Sequence, residues 1–574
     1  MQSLISTKTQ SWLVWFLRGL LIVGFLLLLT RLVELQIIRG AYFKALAEGN
    51  RIRRVPISAA RGEIHARGGE ILAMNKEVKR KVVFYDGGYK KEVLGVNEGS
   101  DLITEWIREY PEGGGFAHIT GYIGEVNEEE LGKIMAECPD KGPRRLQGLV
   151  GRAGLENQYD CVLTGYDGEE LVEVDAENNK VRTLGRKMPV QGDNIVTTID
   201  FGLQKKIGKV FAGKKGAVIV TDAKGQVLGL YSSVSYDPNI FVKDGNEKNI
   251  QSVLSDKNLP LFNRVIAGEF HPGSVFKPVV ATAALEEGVI DEDYIYEDTG
   301  QITISNIYGS FSYKNWYFAQ YGGVEGKIGL ERAIARSTDT FFYKIGELTG
   351  VDNLVNWAGK FGLDNLTGID IPGEVSGLIP SPEWKMRVKG ERWFLGNTYH
   401  MSIGQGDIAL TPMGINQAIS AIANGGKLCQ PHIFSIEASG NFQPARPAGG
   451  FPISNFQCRD LGIKKENIAL IKKGMVGVCS PGGTGYTFFD FEQKSGRSVA
   501  CKTGTAETEN GEPHAWFVAF APADNPEIVA TVLVENGGEG SKVAGPIARE
   551  IFNYWFKVPE ATPSATLIPQ PANE

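Results

Sequence analysis

His271-Pro-Gly-Ser-Val-Phe-Lys-Pro278 sets Ser274 and Lys277 three residues apart, behind a Pro-Gly break and at the mouth of an apolar, alanine-rich run from Val279 to Leu285. That run predicts a helix, and an i, i+3 spacing stacks both side chains on one of its faces. Unpaired N–H groups at a helix start favour negative charge developing on the Ser274 oxygen. A lysine can deprotonate that serine only while it is neutral, and desolvation or a second nearby cation makes it so. Pro278 is compatible, because the first helical turn has no intrahelical N–H bonds to lose. Ser-x-x-Lys occurs once in the chain. Taken alone, it also reads as a capping serine followed by a surface lysine.

Two further patterns extend the case. Lys502-Thr503-Gly504-Thr505 also occurs once. The Lys502 cation and the Thr503 and Thr505 hydroxyls suit a substrate carboxylate, and Gly504 permits close backbone approach. Alone, the stretch also reads as a solvated lysine entering a turn. The third pattern, Ser-x-Asn or Ser-x-Asp, occurs at Ser235, Ser337 and Ser439. Ser337-Thr-Asp339 lies between the other two motifs, 63 residues past Ser274 and 165 before Lys502, and between helical segments. It is therefore the choice over Ser439, which sits in a polar, Gly-rich turn.

The chain around these motifs has 574 residues, 42% hydrophobic and 22% charged, enough for two or three domains. A net charge of −7 and the lack of a basic stripe argue against nucleic acid as a partner. Six scattered cysteines are too few for a disulfide scaffold. There is no Cys-x-x-Cys and no His-Glu-x-x-His, so no metal site is expected. Residues 1–11 form a short tail. Residues 12–33 form an apolar run that rises about 33 Å as a helix, long enough to span a bilayer. It is read as an uncleaved anchor, since the first Ala-x-Ala lies well beyond it. Arg31 near its end and Arg39, Lys44, Arg51, Arg53 and Arg54 after it put positive charge on that side, so a positive-inside count does not place the N-terminus in the cytoplasm. Residues 34–200 carry strands at 82–85 and 194–199, a short helix at 101–109 and no motif for chemistry. From about residue 201 a helix at 203–211, a hairpin at 216–231 and a late strand at 528–534 predict an α/β domain whose sheet is assembled from both ends. Residues 558–574 are Pro/Ala-rich and expected to be disordered.

In this order the three motifs match the Ser-x-x-Lys, Ser-x-Asn, Lys-Thr-Gly signature of penicillin-binding proteins and serine β-lactamases. The chain resembles the class B penicillin-binding proteins, of the penicillin-binding protein 2 type, over nearly its whole length. Asn50-Arg-Ile-Arg53, Arg61-Gly-Glu-Ile64, Gly121-Tyr-Ile-Gly124 and Gly151-Arg-Ala-Gly-Leu-Glu156 are similar to the family's pedestal motifs. Tyr236-Asp-Pro-Asn239, Gly404-Gln-Gly406 and His514-Ala-Trp-Phe517 are similar to its catalytic part. Two positions depart from the pattern. Ala66-Arg-Gly-Gly69 stands where the family usually reads Asp-Arg-Asn-Gly, and Asp339 replaces the asparagine of the second motif. An ionised Asp339 can only accept hydrogen bonds, and pairing with a lysine would raise that lysine's pKa.

The resemblance implies an α/β (α+β) fold: a single transmembrane helix (12–33), a mainly β-containing pedestal (34–200), and a transpeptidase domain (201–557) with a central antiparallel sheet flanked by helices. It implies peptidoglycan D,D-transpeptidation through an acyl-enzyme on Ser274, with Lys277 as base, Ser337 as proton relay and Lys502 setting the field. Asp339, Thr503, Gly504 and Thr505 are the implied substrate contacts, and no cofactor is called for. The implied partners are peptidoglycan stem peptides, β-lactams as covalent inhibitors, a RodA-like glycan polymerase of the SEDS family, other membrane cell-wall proteins and the lipid bilayer. The catalytic part is expected outside the cell membrane and the N-terminus in the cytoplasm. A silent or β-lactam-sensing scaffold that regulates a polymerase is the alternative.

Overall fold

A computed structural model describes residues 11–85, 88–93, 102–134, 139–144, 148–175, 177–242, 245–307, 309–435, 456–508 and 511–559. The tail before residue 11, the Pro/Ala-rich tail from residue 560 and Ser439 lie outside the described residues. The described chain forms two compact units that interleave in sequence. The first takes residues 1–60, 77–107 and 165–191, and the second 61–76, 108–164 and 192–574.

In the first unit the helix Ser11–Val33 continues through a wider turn, Glu34–Ile38, so the apolar span long enough to cross a membrane runs from Trp12 to Ile38. Leu21 and Leu28 are each 70% exposed, and a helix apolar on every face without packing partners suits lipid rather than water. A second helix, Gly40–Arg51, leads into the strand Ile52–Ile57. That strand pairs antiparallel with Gly168–Val174, which pairs with Lys180–Lys187. Elsewhere in the unit the later half of the strand Ile71–Tyr85 turns back on Gly88–Val93, with Arg80 opposite Val93. Residues 102–109, expected to be helical, are instead a strand that pairs with Ile71–Tyr85. Thr104, Trp106 and Ile107 favour a pleated surface, and the neighbouring strand supplies a ladder that no isolated short helix could match. Thr104 donates to Glu77 at 3.4 Å, and Arg80 pairs with Glu105.

The second unit explains several motifs by what they bury. Glu156 receives Arg61 Nε at 2.5 Å and Arg108 Nε at 2.7 Å, and Arg61 also meets Asp160 at 2.8 Å. Burial alone would raise the Glu156 pKa; the two guanidinium groups outweigh it and hold the carboxyl below its usual value. Gly154, at φ +56°, lies so close to the other half of this motif set that a Cβ would come within 2.5 Å of Gly121 N. Asn239 spans the Tyr110 backbone, accepting from its N–H at 3.0 Å and donating to its carbonyl at 2.9 Å.

The main sheet is built from both ends of the unit. Helix α1 (Phe201–Phe211) precedes the antiparallel hairpin β1 (Gly216–Thr221) and β2 (Val227–Ser233). Far along the chain, β3 (Ala500–Ala506), β4 (His514–Ala521) and β5 (Ile528–Val534) complete the order β2-β1-β5-β4-β3, every pair antiparallel. All seven residues of β5 are buried, as expected for an apolar run covered on both faces. The helix Pro412–Ala423 covers one face, where Asn416 donates to Thr531 Oγ1 and the Val529 carbonyl, both at 3.3 Å. The helix Gly540–Trp555 covers the other, where Gly545 lies over the Phe517 ring. This leaves β3 at an edge, free to receive other backbone on its outer side.

The buried ion cluster gives a stability prediction. Glu156→Ala strands two buried guanidinium groups and is expected to cost about 3–5 kcal/mol in denaturant unfolding. A loss below about 1 kcal/mol would contradict that reading.

Candidate active site

Ser274 is delivered by a 3₁₀ turn, Gly273–Phe276, that runs directly into the helix α2 (Lys277–Glu286). Residues 277–285 of α2 are all buried, so the Ala-rich run is a core helix, and Pro278 sits in its first turn as expected. Three glycines bring the turn against the edge strand. Gly273 (φ +55°) donates its N–H to the Gly404 carbonyl at 2.9 Å, and a Cβ on Gly404 would lie 2.2 Å from the Gly273 oxygen. A Cβ on Gly504 would meet Val275 Cγ1 at 3.0 Å and the Pro272 oxygen at 3.2 Å. Trp516, fully buried on β4, donates its indole N–H to the His271 carbonyl at 3.0 Å. The Gly404-Gln-Gly406 and His514-Ala-Trp-Phe517 stretches therefore hold the loop that carries Ser274.

Ser337 and Asp339 come from the junction between the helix Leu330–Arg336 and the helix α3 (Asp339–Thr349). Ser337 adopts the left-handed conformation (φ 56°, ψ 39°), which ends the first helix and costs a non-glycine residue on the order of 1 kcal/mol. Its hydroxyl lies 3.1 Å from Lys277 Nζ and 2.8 Å from Lys502 Nζ, so one oxygen bridges two amines. Lys277 also donates to the Ser337 carbonyl at 2.9 Å and to Asp339 Oδ1 at 2.6 Å. Lys502 also donates to the Thr503 carbonyl at 2.9 Å. Both lysines are 0% exposed. Ser274 is half-buried, and among the described residues its hydroxyl has no hydrogen bond, which leaves it open to a substrate.

The structure thus holds Lys277, Ser337, Asp339 and Lys502 in one hydrogen-bonded group, with Ser274 on the turn that leads into Lys277. Thr503 is buried against Thr484, hydroxyl to hydroxyl at 2.8 Å, while Thr505 is exposed and accepts from Gly540 N at 3.4 Å. The Ser235 alternative is elsewhere, its hydroxyl on the Gly114 carbonyl at 2.7 Å. Among the described residues no three His, Cys, Asp or Glu side chains gather as metal ligands would. Sequence reasoning missed Asn315, Trp316 and Thr484. Trp316 N donates to Asp339 Oδ2 at 2.9 Å, and Asn315 Oδ1 accepts from Asp339 N at 3.1 Å. It also missed the disulfides Cys429–Cys458 and Cys479–Cys501, the second of which ties the residue before Lys502 to the end of the helix Lys465–Val478. Their separations of 29 and 22 residues carry no pairing signal.

Burial pushes both amines toward the neutral form. For Lys277 the Asp339 carboxylate opposes that push, so the Lys277 pKa is lowered only against this resistance. Lys502 falls well below the ordinary lysine value, because burial and then the Lys277 charge both act on it. The direction is therefore a Lys277–Asp339 ion pair beside an amine that gives up its proton more readily. Pairing with Asp339 does oppose deprotonation of Lys277, but desolvation is larger.

An unfolded lysine keeps its proton up to about pH 10.4, while native Lys502 releases it at lower pH. The unfolded state then binds more protons, so this residue's contribution to stability rises with pH across that window. Lys502→Met is therefore expected to raise unfolding free energy at pH 7 by on the order of 1 kcal/mol while abolishing acylation. The gain should shrink toward pH 10. A variant less stable than the parent at pH 7, in thermal and denaturant unfolding, would contradict the assignment.

The penicillin-binding protein transpeptidase domain matches residues 216–553, and the penicillin-binding protein dimerisation domain matches residues 91–197. The peptidoglycan D,D-transpeptidase MrdA of Acinetobacter baumannii is 32% identical, over 96% of this chain and 88% of its own length. The solved structure of Pseudomonas aeruginosa penicillin-binding protein 2 in complex with WCK 5153 is 31% identical with a TM-score of 0.70, covering 88% of this chain and 96% of that one. Helicobacter pylori penicillin-binding protein 2, solved in complex with MreC, is 26% identical with a TM-score of 0.73, covering 88% of this chain and 99% of that one. With its sheet order, its bridged lysines and its open serine, the chain belongs to the class B penicillin-binding proteins, of the penicillin-binding protein 2 type.

Proposed function

We propose that this protein is a peptidoglycan D,D-transpeptidase that crosslinks stem peptides during cell elongation, and that β-lactams acylate it at Ser274. The observation that carries the reading is the Ser337 hydroxyl held between two buried lysine amines, next to a serine left open. Acylation needs a neutral amine near Ser274, and the ion pair with Asp339 opposes deprotonation of Lys277. The bridge resolves this. Ser337 passes a proton to Lys502 as it accepts one from Lys277, and the neutral Lys277 then takes the Ser274 proton. The Ser274 oxygen attacks the carbonyl of the penultimate D-Ala, and the terminal D-Ala leaves as an amine after receiving a proton back through Ser337. The amine of a second stem peptide takes the acyl group and releases Ser274.

Thr503 and Thr505 would meet the substrate carboxylate, with Gly504 permitting the strand to lie close to the serine turn. Backbone N–H groups of Ser274 and Thr505 would form the oxyanion hole, worth roughly 3–4 kcal/mol per donor. The catalytic part would lie outside the cell membrane, on an anchor whose N-terminus is cytoplasmic, since its substrate is the cell wall. The proposed limits are 34–200 for the pedestal and 201–557 for the transpeptidase domain. Cell-wall membrane proteins are the proposed partners, and Helicobacter pylori penicillin-binding protein 2 is itself solved in complex with MreC. A RodA-like polymerase of the SEDS family would be among them, on the resemblance alone.

Intact mass after incubation with benzylpenicillin tests the reading. A stable adduct on the parent protein, lost in Ser274→Ala and reduced by at least about 100-fold in rate in Lys277→Ala, is expected. An adduct of normal rate on Ser274→Ala would overturn it.

A further inference from the structure

Asp298 is a carboxylate buried to 1% exposure, and among the described residues it has no cationic partner. Neutral donors surround it instead. Its Oδ1 accepts from Gly300 N at 2.9 Å and Thr340 Oγ1 at 2.7 Å. Its Oδ2 accepts from Glu325 N at 2.9 Å and Asn315 Nδ2 at 3.2 Å. A buried carboxylate held by four neutral donors fixes all four in place, because losing any one leaves charge unsolvated. Two of those donors flank the site. Thr340 follows Asp339 in α3, and Asn315 turns its other end, Oδ1, to the Asp339 N–H at 3.1 Å. Trp316, the next residue, donates its backbone N–H to Asp339 Oδ2 at 2.9 Å. Asn315 is itself fully buried, so its amide cannot take these bonds from water instead.

We infer that Asp298 is a positioning residue for the transpeptidase site, acting through Asn315 and Thr340 to fix the Asp339 carboxylate and, through it, the Lys277 amine. This rests on the proposed transpeptidase function. The chain of contacts is Asp298 to Asn315 to Asp339 to Lys277, each link a direct hydrogen bond. It divides the Asp339 carboxylate between two tasks: Oδ2 is anchored by backbone, and Oδ1 alone is offered to the lysine. The other ionisable groups that act on this pair are Lys502 and Tyr343, and Tyr296 acts on Asp298. None of these three carries the fixing role, because none donates a hydrogen bond to Asp339.

The test is the second-order rate of acylation by benzylpenicillin as a function of pH, measured on the full chain. Asp298→Asn turns an amide N–H toward donors and should lower the rate at least tenfold. A looser Asp339 stabilises the Lys277 proton less, so the rising limb of the pH profile should move to lower pH. The double variant Asp298→Asn with Asn315→Asp exchanges donor and acceptor across that one bond, and should recover part of the rate. If Asp298→Asn does not fold, Thr340→Val removes one donor at similar volume and should move the rate and the limb in the same direction, by a few fold. A folded Asp298→Asn or Thr340→Val protein with the parent's rate and pH profile overturns the inference, as does a rate loss with an unmoved limb. A parent protein that forms no adduct would instead overturn the transpeptidase reading itself.

Discussion

Two lysine amines and one carboxylate share a space closed to water, and the rest of the site is arranged around that imbalance. Asp339 can neutralise one amine fully, and it lies 2.6 Å from Lys277. Lys502 has only hydroxyl and carbonyl oxygens for company, so of the two amines it holds its proton less securely. In water the same three groups would each keep their ordinary charge. Burial therefore loosens the protons on the amines, and the left-handed Ser337 places its hydroxyl between them.

That arrangement asks much of the backbone. Lys277 arrives from α2, with Ser274 on the turn before it, Ser337 and Asp339 from a helix junction, and Lys502 from an edge strand, so three pieces of chain must meet within hydrogen-bond distance. The sheet fixes β3 through its pairing with β4, whose Trp516 then reaches back to the serine loop. Gly404 and Gly504 remove the side chains that would hold the pieces apart. The disulfide Cys479–Cys501 and the Thr484–Thr503 contact tie the far side of the same strand. Precision at the site is thus a property of packing, with each approach set by a specific neighbour.

Much of this was legible in the chain itself. Ser274 and Lys277 announce each other through their spacing, and the Ala-rich run after them reads correctly as a helix, although its complete burial appears only in the fold. The hairpin at 216–231 and the strand at 528–534 read correctly too, because apolar β-branched runs bounded by turn residues are strong local signals. Residues 102–109 misled, since their strand exists only by pairing with Ile71–Tyr85. Asn315 and Asp298 were invisible for a related reason. A lone buried amide and a lone buried carboxylate have no spacing rule, and their meaning appears only when folding places them 3.2 Å apart. Asp339 stands between these cases: its motif located it, and its ion pair with a lysine followed from its charge.

Function at this site depends most on how it divides its protons. A lysine-selective ¹³C NMR titration of the folded protein, with Lys277 and Lys502 assigned by substitution, reads that division directly. The Lys502 amine is expected to titrate well below the exposed lysines at about 10.4, and below Lys277. Two site lysines that titrate together with the exposed ones would contradict it.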